Sequence, residues 1–294
     1  MIPKRFDYYA PTSLGEATRL LSENAEAKVL AGGQSLLPMM KLRVVAPAVL
    51  VDISRLPGLS YVRDEGDHLA IGALTNLDRI ERDATIKERF TAINDAVVGI
   101  GDQQVRNRAT IGGSACHADP GTDLPTALLV ADAQFVKQGG DYHTAVVPAR
   151  DFFMDLLATA VGHDEILVQV RLPYPLPNSA SAFVKHTVRE VDRAIAMVGS
   201  AVTVEHGNAC TDVRIGIGAA GTTPFRATTA EQYLKGKVLE DGTIAEAAER
   251  AVEGADPASD LHGSREYRLE MIKVVTRRSL RVALSRVAEA QREA

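Results

Sequence analysis

The chain has 294 residues and a formal net charge of -5, with 33 Lys and Arg against 38 Asp and Glu, and 46% of it is hydrophobic. At roughly 150 residues per domain this is material for about two domains with cores of their own, needing no disulfide or metal staple. The acidic balance speaks against broad nucleic-acid binding, which needs a basic surface, and 5% aromatics without a single Trp speak against a base-stacking platform.

From the N-terminus, SLGE at 13–16 has the capping-box form, in which Ser13 caps and Glu16 reaches back, opening a helix that runs to about Asn24. A short buried strand over 28–31 stops at Gly32-Gly33, and a second over 48–53 follows a helical or irregular stretch holding Pro38 and Pro47. The pattern then predicts a strand over 69–73, helices over 76–82 and 85–98, a glycine-rich polar loop from 112 to 123, and a helix over 125–133. Strands over 134–138, 142–148 and 166–172 follow. PYPLP at 173–177 puts three prolines into five residues, which forbids regular structure, and a domain boundary belongs there. Beyond it the pattern gives strands over 182–188, 194–205 and 212–220, then helices from about Ala227. The last helix, about 264–291, mixes Arg and Lys with apolar positions, as a solvated face packed on the second domain does.

Cys116 and Cys210 lie far apart and no CxxC exists, so neither a zinc ribbon nor a Cys-ligated iron–sulfur cluster forms from this chain alone. The first residues lack the apolar core of a secretory signal, and no run approaches about 18 apolar residues, so the chain reads as soluble and cytoplasmic.

Two segments carry possible chemistry, AGGQS at 31–35 and TIGGS at 110–114. Each pairs two glycines with a small polar side chain, and a residue without Cβ lets consecutive N–H groups turn toward one anion. Two such loops suit a diphosphate held by neutral donors; tight turns after strands explain the same pairs. A Walker loop is absent, and no Lys or Arg lies between Thr110 and Asp123 to neutralise a triphosphate. GIGAAG at 216–221 formally matches GxGxxG but starts inside a strand-like run and meets Pro224 at once, so it reads as a strand with close backbone packing. The seven histidines form no metal-binding spacing. His117, beside Cys116 and Asp119, faces either a cofactor or solvent. Asp102, Asp119 and Asp123 serve as acid–base groups or as helix caps, and Asp123 before Leu124-Pro125 has the form of an N-cap. No nucleophile stands out.

At the two glycine loops the chain resembles the FAD-binding medium subunit of molybdenum hydroxylases, the family of carbon monoxide and xanthine dehydrogenases. The resemblance spans nearly the whole chain, through FDYYAPTS (6–13), AGGQSLLPMMKLR (31–43), VDIS (51–54), IGA (71–73), QVRNRATIGGS (104–114), ADPGTDLPTALL (118–129), EILVQVRLP (165–173) and ASDLHG (258–263). It implies an α+β fold: an FAD-binding region of the p-cresol methylhydroxylase type over 1–175, in subdomains of about 1–57 and 58–175, then a smaller α+β domain over 178–290 with a three-stranded antiparallel sheet and helices. It implies a flavin diphosphate lying on Ala31, Gly32, Gly33, Gln34 and Ser35 and on Thr110, Ile111, Gly112, Gly113 and Ser114, with Asp123, Leu167 against the ring system, and Lys185 near the flavin.

Two departures stand out. Gln34 replaces the His usual in the carbon monoxide enzymes, and their K-x-K-R-K-x-G-D-[YW]-A motif reads KHTVREVDRA (185–194), with Arg193 in the aromatic position. This pattern fits the broader hydroxylases better than the carbon monoxide enzymes. The function implied is electron transfer through non-covalent FAD, from two [2Fe-2S] clusters of a small partner subunit to NAD or a quinone. A large partner carries the molybdenum cofactor, and the assembly is a dimer of heterotrimers. The alternatives are a stand-alone flavoprotein oxidase of the same superfold and a non-redox module for a nucleotide diphosphate.

Overall fold

A computed structural model describes residues 2–141, 143–189 and 192–293. The chain opens with β1 (Asp7–Tyr9), α1 (Leu14–Glu23), β2 (Ala27–Leu30), α2 (Leu36–Lys41) and β3 (Val49–Asp52). The three strands form a parallel sheet in the order β1-β3-β2. Ser13 caps α1 as its sequence predicts, accepting from the Glu16 N–H at 3.2 Å. Glu16, however, reaches one residue further back, to the N–H of Thr12 at 2.9 Å. Ala17 and Leu21 of α1 and Val51 of β3 close a small core of their own.

The middle of the chain runs β4 (Val62–Asp64), β5 (His68–Gly72), α3 (Leu77–Arg82), α4 (Ala84–Arg89), α5 (Thr91–Val98), α6 (Gln103–Arg106), α7 (Ile111–His117), α8 (Asp123–Val130), β6 (Gln134–Gln138), β7 (Thr144–Pro148), α9 (Ala149–Phe152), β8 (Phe153–Asp155), β9 (Ala158–Thr159) and β10 (Ile166–Pro173). Its five-stranded antiparallel sheet has the order β4-β5-β10-β6-β7. The helix expected over 85–98 is two helices, because Phe90 leaves the helical region (φ −124°, ψ 52°) as its ring sinks into the core. The loop expected from 112 to 123 is largely the helix α7. Thr110 caps it, its Oγ1 accepting from the Gly113 N–H at 3.1 Å, and Ile111 and Ala115, one turn apart, are fully buried. Packing of that face outweighs the poor helix propensity of two glycines. Position 142 of the expected strand over 142–148 lies outside the described residues.

Past the prolines come β11 (Ser179–His186), β12 (Ala196–Val204), β13 (Cys210–Gly218), β14 (Phe225–Arg226), α10 (Thr228–Leu234), α11 (Asp241–Arg250) and α12 (Arg265–Glu293). Three long antiparallel strands form the sheet, and the two-residue β14 extends it at the β13 edge. One face of α12, with Ile272, Val275, Leu280 and Ala283, closes this core. All eight residues of α8 are buried, because it packs between the middle region and the β12–β13 strands. The glycines of 216–221 explain how: a Cβ on Gly216 meets Val130 Cγ2 at 2.7 Å, and one on Gly218 collides with Thr126 Oγ1. GIG at 216–218 ends β13, against which a helix lies close as its context indicates, and AAG at 219–221 follows the strand without opening a helix, so the segment is no phosphate turn.

Candidate functional site

A cavity of about 670 Å3 opens where the three parts of the fold meet. Both glycine segments wall it. The first follows β2, and Gly33 has φ +75°, a backbone that other residues adopt only under strain. A Cβ on Gly32 collides with the Arg108 carbonyl, so its absence lets the two segments touch. Gly112 serves the second segment in the same way, its missing Cβ making room for Ala73 at 2.6 Å.

The segments differ in what they offer a ligand. Among the described residues no protein group accepts from the N–H groups of Gly32, Gly33, Gln34 and Ser35, and the Ser35 hydroxyl makes no cap bond to α2. In the second segment the donors are spent: Ile111 N–H on Thr75 O at 3.0 Å, Gly112 N–H on Ala73 O at 2.9 Å, and Gly113 N–H on the Thr110 hydroxyl. Free backbone donors for an anion therefore concentrate on 32–35. Thr110, Gly112, Gly113 and Ser114 line the cavity as a close-packed wall. Ile111 does not line it; its side chain belongs to the core.

Ala31, Gln34, Asp123, Leu167 and Lys185 also line the cavity. Leu167 sits where the β10–β6 register shifts, and such a bulge re-aims a side chain. Asp123 is the first residue of α8 and is no cap, since its carboxylate turns away to Lys185 Nζ at 2.7 Å. Lys185 Nζ also donates to the Gly99 carbonyl at 2.7 Å. Burial pushes the Asp123 carboxyl up to about 6, against the attraction of Lys185. The lysine charge expected beside the flavin is thus balanced by a carboxylate in the same wall.

Sequence reasoning missed the Gly99-Ile100-Gly101 wall, although two glycines one residue apart were a visible signal. It also missed the Arg193–Asp119 ion pair (2.6 Å) at the rim, which joins positions 74 apart and has no local signature. Cys116 and His117 line the cavity as well, but burial raises the thiol to about 12 and is the chief cause that lowers the His117 pKa. A protonated thiol is a poor nucleophile for covalent attachment of a flavin.

The donor set fits FAD. The unpartnered N–H groups around Gly33 suit a diphosphate, and Leu74, Leu77, Ile100, Val161 and Leu167 give flat ring systems apolar walls. Comparison with known families agrees: residues 4–175 match the FAD binding domain in molybdopterin dehydrogenase, and residues 182–283 match the CO dehydrogenase flavoprotein C-terminal domain. The chain belongs to the FAD-binding medium subunits of molybdenum hydroxylases. This medium subunit is 37% identical over 290 residues to the carbon monoxide dehydrogenase medium chain of Hydrogenophaga pseudoflava, covering 98% of this chain and 100% of that one. It is 36% identical over 287 residues to the 6-hydroxypseudooxynicotine dehydrogenase complex subunit alpha of Paenarthrobacter nicotinovorans, covering 97% of each. Its structure resembles that of the Hydrogenophaga pseudoflava enzyme lacking the Mo-pyranopterin moiety of its cofactor, with a TM-score of 0.94 at 37% identity, over 97% of this chain and 99% of that one. The subunit is an oxidoreductase component with FAD as its cofactor. Among the described residues no group of His, Cys, Asp and Glu is arranged to hold a metal, and no helix is long and apolar enough to cross a membrane.

Proposed function

We propose that the subunit relays electrons through non-covalently held FAD, from [2Fe-2S] clusters in a small partner subunit to an external acceptor, NAD or a quinone. A large partner holds the molybdenum cofactor, and the whole is a cytoplasmic dimer of heterotrimers. FAD when bound supplies the redox chemistry; the chain supplies binding, orientation and electrostatics. The N–H groups of Gly32, Gly33, Gln34 and Ser35 hold the diphosphate, Thr110 and 112–114 wall it from the other side, and Ile111 anchors that wall through the core. Leu167 keeps water from the ring system. Lys185 has three donors, of which Gly99 and Asp123 take two, leaving one for the cofactor. The FAD-binding domain is assigned to 1–175, with subdomains meeting near 57, and the C-terminal domain to 178–290.

The observation that carries this reading is the run of N–H groups at 32–35, unpartnered among the described residues, in the wall of the cavity. It is tested by the visible spectrum of the purified chain, before and after adding FAD. Flavin absorbance that stays with the protein through gel filtration, and bleaches when reduced partner subunits are added, is the expected result. Flavin retained but never reduced by partners favours the stand-alone oxidase.

A further inference from the structure

None of the residues of ASDLHG, at 258–263, lines the cofactor cavity. The segment forms a closed turn before α12. The N–H groups of Asp260 and Gly263 donate to each other's carbonyls at 3.1 and 3.3 Å, and the His262 N–H donates to Asp260 Oδ1 at 2.8 Å. The Ser259 hydroxyl accepts from the Arg265 N–H at 2.9 Å, which ties the turn to the first residue of α12. At Gly263 a Cβ would stand 2.9 Å from Tyr267 Cδ1, so its absence lets that ring lie against the turn.

The turn holds Asp260 against the start of α12. Arg268 Nη2 donates to both Asp260 oxygens at 2.7 Å, and Arg268 Nη1 donates to the Ile195 carbonyl at 3.1 Å. One residue earlier, the Tyr267 hydroxyl stands 2.9 Å from His186 Nε2. His186 ends β11, and its carbonyl accepts from the Ile195 N–H at 2.8 Å. Adjacent residues of α12 therefore hold both ends of the β11–β12 connection. Side chains alternate along a strand, so with His186 turned to α12, Lys185 faces the other way, onto Asp123 and Gly99 in the cavity wall. Arg193, two residues before Ile195, reaches Asp119 at the rim. Ala194 is buried in the core of the middle region and Ala196 in that of the C-terminal domain, so Ile195 stands at the junction of the two.

The Arg268 side chain is 8% exposed, and its Nε has no partner among the described residues. A buried guanidinium with a donor unsatisfied is a poor source of stability, and an apolar side chain of similar volume fills a core as well or better. What the planar fork alone supplies is the tie between Asp260 and Ile195.

We propose that Arg268 is a positioning residue of the cofactor site. Held by Asp260, it fixes the base of the β11–β12 connection from behind the cavity wall. Through that base it sets where the charges of Lys185 and Arg193 stand beside the cofactor, without touching the cofactor itself. The inference rests on the function proposed above.

The test uses the full chain loaded with FAD, as wild type, Arg268→Lys, Lys185→Met and the double variant Arg268→Lys/Lys185→Met. Arg268→Lys keeps the charge and loses the fork, so a change of flavin potential reports geometry. Dye-coupled reductive titration is expected to show a potential lowered in Arg268→Lys, in the direction of Lys185→Met, with no further fall in the double variant. An unchanged potential, or two shifts that add, overturns the proposal. Asp260→Asn, whose oxygen still accepts from Arg268, takes the place of Arg268→Lys if that variant does not fold. It removes a negative charge, which by itself raises the potential, so the fall expected from a loosened fork has the opposite sign, and a rise or no change overturns the proposal. Amide hydrogen exchange gives a readout that needs no flavin. Faster exchange confined to peptides covering His186 and Ile195 is expected. Faster exchange throughout β12, β13 and α12 makes Arg268 a structural residue only and overturns the proposal. Wild type that binds no FAD is a failure of the proposed function itself, and the exchange pattern then still decides whether Arg268 holds the wall.

Discussion

Asp123 and Lys185 meet at 2.7 Å across the cavity wall, one opening α8 and the other standing on β11, on opposite sides of the proline-rich segment. Their side chains are 5% and 13% exposed, so the pair is held largely out of water. The ion pair joins the two halves of the chain at the place where the cofactor is proposed to lie. Removing one partner leaves an uncompensated buried charge, at a cost of about 3 kcal/mol or more. Lys185→Met is accordingly expected to lower stability by that order, and the double variant Asp123→Asn/Lys185→Met to recover most of it. A urea-unfolding cycle of the four proteins measures the coupling, and additive effects refute it.

The pair also sets a pH dependence. The Asp123 carboxyl stands at about 6 in the folded chain, above its ordinary 3.8, because burial outweighs the attraction of Lys185. The folded state then holds a proton that the unfolded state lacks between those two values. The contribution of this group to stability is fully present below 3.8 and is lost as pH rises through about 6. Asp123→Asn cannot titrate, so the stability of wild type relative to this variant is expected to rise between about pH 8 and about pH 5. A constant difference across that range removes Asp123 as the titrating group.

With the flavin placed as proposed, the same balance is expected to tune its potential. Above about pH 6 Asp123 cancels the Lys185 charge, so a lysine alone does not describe the field at the site. Asp123→Asn leaves that charge unbalanced, stabilises the anionic reduced flavin and is expected to raise the flavin potential. Lys185→Met is expected to lower it. Dye-coupled reductive titration of the two variants reads the signs, and shifts in the same direction refute the argument.

The glycine loops were legible in sequence because close backbone approach leaves a local mark, a residue with no Cβ. Their different uses were not legible. Whether Gly112 offers its N–H to a ligand or to Ala73 depends on a strand some forty residues upstream. The same limit explains α7, read as a loop from its glycines, although Ile111 and Ala115 bury a face in a core assembled from distant elements. It explains Asp123 too. An acid before Leu-Pro looks like a cap until Lys185, 62 positions on, claims it. The proline-rich segment, the strands on either side of it and the capping by Ser13 were readable because each rests on neighbours in sequence.

One glycine from each segment is ranked by what a methyl group meets. At Gly32 it meets a backbone carbonyl, that of Arg108, which cannot swing aside. At Gly113 it meets the Thr110 hydroxyl at 2.8 Å and Ala31 Cβ at 3.7 Å. Gly32→Ala is therefore expected to separate the two segments and abolish FAD retention. Gly113→Ala is expected to weaken the α7 cap by about 1 kcal/mol and to reduce retention in part. Flavin absorbance per chain after gel filtration orders the two, and a reversed order refutes the packing argument.

The contact of α8 with the β12–β13 strands gives a prediction away from the cofactor. Thr126 is wholly buried, and its Oγ1 has no hydrogen-bond partner among the described residues. It lies against Gly218, where no side chain fits. A buried hydroxyl without a partner carries its desolvation penalty uncompensated, and a methyl of similar shape does not. Thr126→Val is expected to raise stability by about 1 kcal/mol, and Gly216→Ala to lower it because its new Cβ meets Val130 Cγ2 at 2.7 Å. Both are expected to leave FAD content unchanged, since neither residue lines the cavity. Thermal unfolding with flavin content as the second readout decides the matter. A loss of FAD in Gly216→Ala without a loss of stability returns GIGAAG to a role in nucleotide binding.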